Sequence, residues 1–126
     1  MPWGPFGRKA PYVEPKQPPV PSPIEIQFWS AYLKLRPPEL RGLVQQHKVG
    51  PFRIDFALPR QKFAIELDGL RDHATTAAMA RDRARERYLQ FNGWYIIRFG
   101  GAEVYHNPGN CVQEAAQLHR AWRSHR

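Results

Sequence analysis

The stretch FAIELDGLRDH, residues 63–73, gathers Glu66, Asp68, Asp72 and His73 around one glycine, with Asp55 a short way upstream. The chain around it is basic. Its 126 residues carry 19 Lys and Arg against 11 Asp and Glu, a formal net charge of +8. Such a balance attracts phosphates or an anionic membrane surface, so a knot of carboxylates inside it needs a physical reason. Strand alternation supplies the first step: Phe63, Ile65 and Leu67 fall on one face, Lys62, Ala64, Glu66 and Asp68 on the other. Upstream, FRIDFAL (52–58) puts Ile54, Phe56 and Leu58 on one face and Arg53, Asp55 and Ala57 on the other. If the two strands pair through the turn near LPRQ, keeping all six large apolar residues together sets Asp55 opposite Glu66 or one diagonal away. Like charges so placed repel unless something positive lies between them. Asp55, Glu66 and Asp68, oxygen donors without cysteine, suit a hard divalent ion, Mg²⁺ first and Mn²⁺ second. The competing reading is a set of ordinary ion pairs with Arg53, Arg60 or Arg71. Ala57 and Ala64 leave room beside the acids for a bulky substrate.

Outward from this pair the elements follow in order. SPIEIQFWSAYLKLRP starts a helix with Ser22 as N-cap, Pro23 at the first helical position and Glu25 at the third; Pro37 and Pro38 end it. Strands are expected near residues 43–47, 52–58 and 62–68, where apolar and polar positions alternate between Gly and Pro punctuation. A helix over 75–91 stops at Asn92-Gly93, WYIIRF is a fourth strand, and Asn107-Pro108 opens a last helix. The order α-β-β-β-α-β-α predicts an α/β domain with a small mixed sheet flanked by helices.

The composition fits one domain. Residues 1–21, with seven of the 13 prolines, read as an arm, residues 22–122 as the domain and 123–126 as a basic tail. No apolar run reaches the roughly 20 residues of a membrane span. The start lacks the apolar stretch of a secretory signal, so a soluble cytoplasmic protein is expected. The single Cys111 excludes an internal disulfide and a cysteine zinc site, and reads as a small half-buried residue. Trp94, Tyr95, Ile96 and Ile97 read as core. Arg81, Arg83, Arg85 and Arg87 spread around their helix, some to bind phosphate and others to be solvated.

The blocks SPIEIQFW, QHKVGPFRIDF, FAIELDGLRDH and RDRARERYLQFNGWYIIRF resemble, in that order, the small endonuclease-like domains of unknown function related to the very-short-patch-repair endonucleases. Those belong to the PD-(D/E)xK restriction-endonuclease-like superfamily. The resemblance covers about residues 22–120. It implies Asp55 and Glu66 as metal ligands, with Asp68 standing where the superfamily has its lysine. His73 matches a histidine that helps activate water or hold the scissile phosphate. Glu25 matches a first-helix glutamate that reaches the metal directly or through water, although Ser22 and Glu25 also form a capping-box pattern. Gln46 matches a glutamine before the glycine turn, and Asp82 with Arg85 the polar pair of the next helix, which by itself could be a surface ion pair.

These residues imply a Mg²⁺-dependent endonuclease acting on DNA, with RNA as the other candidate. Its catalytic set is Asp55, Glu66, Asp68, His73 and Glu25, and Gln46, Lys48, Arg53, Arg71, Arg81 and Arg85 meet the nucleic acid. A homodimer would suit double-strand cleavage. The missing lysine motivates a second reading, a DNA-binding module with weak or no turnover. A third is an interaction protein docking through its proline-rich arm.

Overall fold

The computed structural model describes residues 21–69 and 76–125. Most of the proline-rich arm, together with Arg71 and His73, therefore lies outside the described residues. Helix α1 (Pro23–Leu35) begins as the capping pattern requires: Glu25 N–H donates to Ser22 Oγ at 3.3 Å, and Ser22 N–H donates to Glu25 Oε2 at 2.6 Å. Arg36, left-handed at φ 42°, closes it. A 3₁₀ turn, Pro38–Leu40, follows where the sequence suggested only a helix stop.

Strands β1 (Val44–Val49), β2 (Phe52–Leu58) and β3 (Phe63–Asp68) form an antiparallel meander. Helix α2 (Thr76–Phe91) then leads to β4 (Tyr95–Gly100), parallel to β3, as a parallel pair requires a crossover. Gly93, at φ 87°, lies in the turn where Asn92-Gly93 was expected to end α2. The sheet order is β1-β2-β3-β4. Helices α3 (Gly101–His106) and α4 (Pro108–Ser124) complete the chain. The fold is the α/β architecture expected, with α3 added between β4 and the last helix, where no element was expected. Gly100 N–H donates to Glu103 Oε1 at 3.0 Å, which lets α3 start directly from β4.

Two apolar layers cover the sheet. Phe56, Leu58, Phe63, Ile65 and Leu67 pack with Phe28 of α1 and Val112 of α4. Ala57 and Ala64 join Tyr88 and Leu89 of α2 on the opposite side. Phe52 and Ile54 also belong to this second layer, which corrects the expectation that Ile54 shares a face with Phe56 and Leu58. The β2–β3 pairs run from Leu58–Phe63 to Phe56–Ile65, and beyond them β2 follows β1 away from β3. At the same level Gln46 of β1 takes φ 52°, a left-handed backbone inside a strand. The distal half of the hairpin thus turns onto α2, where Phe52 meets Tyr88 edge to face at 5.4 Å.

Smaller differences are local. Cys111 is fully buried, and Tyr95 is 38% exposed and stacks on Trp122 at 5.3 Å. Of the alternating arginines, Arg81 and Arg85 sit half-buried on the inner flank of α2 while Arg83 and Arg87 are exposed. No helix among the described residues is long and apolar enough to cross a membrane.

Gly50, at the β1–β2 turn, has φ 56°, and a Cβ there would overlap Tyr88 Oη. Gly50→Ala should therefore cost about 1–3 kcal/mol through overpacking and backbone strain. Urea denaturation reads this as a lower midpoint at unchanged slope, and an unchanged midpoint would refute the contact.

Candidate functional site

Asp55 and Glu66 meet at the fork where β2 leaves β3. Continuing the register one step past Phe56–Ile65 brings Asp55 level with Glu66. Two side-chain bonds cross the fork in place of the ladder: Leu67 N–H donates to Asp55 Oδ2 at 2.9 Å, and Asp55 N–H donates to Glu66 Oε2 at 3.5 Å. The expectation that the two acids lie side by side is met by this geometry.

Glu25 enters from the first turn of α1. Its Oε2 serves the capping box, while Oε1 accepts Gln46 Nε2–H at 3.2 Å. Glu25 also stands near enough to Asp55 to raise its pKa. Structural capping and a place beside Asp55 thus coexist in one residue, with Oε2 serving the cap and Oε1 the Gln46 amide. Gln46 reaches Glu25 because of its left-handed backbone, which makes it part of the site's framework.

Glu66 is only 4% exposed. Its Oε1 forms an ion pair with Arg85 Nη1, and Arg85 Nη2 donates to the Arg53 carbonyl. Arg85 is therefore aimed inward, where the sequence reading set it towards nucleic acid. Arg98, level with Glu66 on β4, pairs with Glu86 of α2 at 3.6 Å. The sequence reading did not include Arg98; its alternation with Ile97 and Phe99, which face the α1–α4 layer, was the available signal.

Asp68 lies one strand period beyond Glu66, half-buried and level with Gly100. Lys48 is exposed and faces Arg53 across the hairpin, and Arg81 lies one turn before Arg85 on α2. Among the described residues no three His, Cys, Asp or Glu side chains stand together as a ready metal cage.

The electrostatics follow from burial and crowding. Desolvation, the Glu66 charge and Glu25 push Asp55 up to about 8 from 3.8, against the lowering effect of the Leu67 N–H. At neutral pH this favours the protonated form of Asp55 beside the Glu66 and Glu25 charges. These donors fit a hard cation chemically: Asp55 and Glu66 set carboxylate oxygens opposite each other across the fork.

A family model described as REase_MTES_1575, a restriction endonuclease-like family, matches residues 32–118. Gln46, Asp55, Glu66, Asp68 and Arg85 fall inside that span, and Glu25 precedes it. The chain is 34% identical over 80 residues to the uncharacterized proteins MT2308 and Rv2248 of two Mycobacterium tuberculosis strains, CDC 1551 / Oshkosh and ATCC 25618 / H37Rv. Each match covers 64% of this chain and 30% of the relative. The uncharacterized protein YcjD of Escherichia coli (strain K12) is 32% identical over 73 residues, 58% of this chain and 60% of YcjD. The chain thus spans under two thirds of the length of each of these relatives. The catalytic domain of homing endonuclease I-Bth0305I superposes with a TM-score of 0.57 at 16% identity, covering 83% of this chain and 98% of that domain. At that identity the likeness is one of fold.

The Asp55 titration tests the arrangement. Followed by carboxyl ¹³C NMR, it should centre near 8 in the wild type. Glu66→Gln should lower it more than Glu25→Gln, since Glu66 is the larger charge effect. An ordinary value in the wild type, or the reverse order of the variants, would contradict the geometry.

Proposed function

We propose, from the premise that the chain belongs to the restriction endonuclease-like family REase_MTES_1575, that it is a metal-dependent nuclease hydrolysing phosphodiester bonds in DNA. The observation that carries this reading is the opposed Asp55–Glu66 pair at the fork of β2 and β3, inside a chain of net charge +8. Phosphoryl transfer asks a protein mainly for positioning and charge neutralisation, so acids belong where a basic surface draws in phosphate. Asp55 and Glu66 would hold a divalent cation, Mg²⁺ by donor hardness, with Glu25 reaching it through Asp55 or water and Asp68 at the rim. When bound, that ion supplies Lewis-acid stabilisation of charge on the phosphate.

The chain's own residues then divide the remaining work. Gln46 fixes Glu25 Oε1, and the Leu67 N–H fixes Asp55 Oδ2, so both carboxyl groups are oriented before substrate arrives. Lys48, Arg53 and Arg81 would take the nucleic-acid backbone. By resemblance, His73 would move a proton to or from water; Arg71, as a nearby cation, would contact phosphate. Arg85 seated on Glu66 favours a second reading, a DNA-binding module with little turnover.

Supercoiled plasmid incubated with protein and Mg²⁺, Mn²⁺ or EDTA separates the two. Cleavage should require metal and fall at least about 10²-fold in Asp55→Ala and Glu66→Ala. Because Asp55 must lose its proton to hold the ion, the metal concentration needed for half-maximal cleavage should fall as pH rises towards about 8. Binding without cleavage under either metal favours the second reading, and cleavage in EDTA rules out the site as described.

A further inference from the structure

We propose that Arg85 is a resident counter-cation of the acidic pair, and that a divalent ion must displace it from Glu66 in order to bind. The inference rests on the metal reading above and concerns how the site is filled. Glu66 Oε1 is buried in contact with Arg85 Nη1, and a carboxylate so enclosed cannot remain charged without a partner. Arg98, the other cation beside it in the β3–β4 ladder, is turned to Glu86. Arg85 therefore carries the neutralisation.

The same oxygen is the one that a cation bridging Asp55 and Glu66 would use. Glu66 Oε2 already faces the Asp55 N–H, which leaves Oε1, the oxygen that Arg85 holds, as the other corner of the carboxylate. Two positive groups at one oxygen repel, so occupancy by the guanidinium and by the ion is mutually exclusive. Arg85 has somewhere else to go. Its side chain is 16% exposed, its Nη2 holds the Arg53 carbonyl, and Arg81 shares its flank of α2. Displaced, the guanidinium remains tethered at the rim of the site, with the geometry to meet a phosphate oxygen. Metal entry would thereby convert an internal ion pair into a substrate contact.

The energetic consequence is a competition. The fraction of molecules with Glu66 occupied by Arg85 scales down the apparent metal affinity, as for any binding-competent state that is only partly populated. Removing the competitor should tighten binding although it removes a native contact. This sign distinguishes a counter-cation from a residue that only positions Glu66.

Mn²⁺ binding, followed by electron paramagnetic resonance of the free ion on the full chain, supplies the test. Arg85→Gln should bind Mn²⁺ about tenfold more tightly than the wild type, in the range of ordinary couplings between two sites. Glu66→Gln should abolish the difference. Equal or weaker binding in Arg85→Gln, with the wild type still binding, overturns the competition while leaving the metal site intact. Absence of binding in both proteins overturns the competition and the metal reading together. Should Arg85→Gln fail to fold, the wild type decides: the Arg85 side-chain ¹⁵N resonance should shift on Mg²⁺ saturation in wild type but not in Glu66→Gln. An Arg85 signal unmoved by saturating Mg²⁺ overturns the proposal.

Discussion

Asp55 and Glu66 confront each other at the point where β2 and β3 separate, and the surrounding structure is organised to tolerate that meeting. Two carboxyl groups brought out of water repel and are individually costly. The protein answers with a main-chain N–H on each acid, a proton on Asp55, and the Arg85 guanidinium on Glu66. Removing one partner of such a buried pair typically costs about 3–5 kcal/mol. The acids are therefore expensive features, and a surface ion pair would be a poor reason to keep them.

Their juxtaposition depends on the apolar register. Phe56 opposite Ile65 and Leu58 opposite Phe63 seal the sheet against α1 and α4, and a one-residue slip would turn those side chains away from the core. The same register delivers Asp55 to Glu66. Packing on one face thus sets chemistry on the other, and α2 lies over that second face with Arg85 at the required height. The small residues Ala57 and Ala64 there are covered by Tyr88 and Leu89, so the room they leave is filled by α2 and the site lies beyond them at the fork.

Much of this was legible in the chain. The cap at Ser22 and Glu25, the alternation in residues 56–58 and 63–68, and the Asn92-Gly93 stop each state a local preference that the tertiary structure keeps. The face of Ile54 was not legible, because strand alternation assumes a regular backbone and nothing marks Gln46 as left-handed; glycine or asparagine would have done so. Helix α3 was hidden by Gly100-Gly101, which reads as a turn, and by its length of 6 residues. The partner of Glu66 was sought among Arg53, Arg60 and Arg71, near in sequence. Arg85 comes from a helix whose angle over the sheet no spacing rule contains. Arg71 and His73 lie outside the described residues; the role of His73 rests on the family resemblance and that of Arg71 on its charge.

Metal-dependent hydrolysis at this fork requires Asp55 and Glu66 to act together as a cation site. Crystals soaked in Mn²⁺ and measured at its absorption edge address this directly through an anomalous difference map. The predicted result is a peak within about 2.0–2.3 Å of an oxygen of each carboxylate, with the Arg85 guanidinium turned off Glu66 Oε1. A map without a peak at that position, and Arg85 still seated on Glu66 at saturating Mn²⁺, would contradict it.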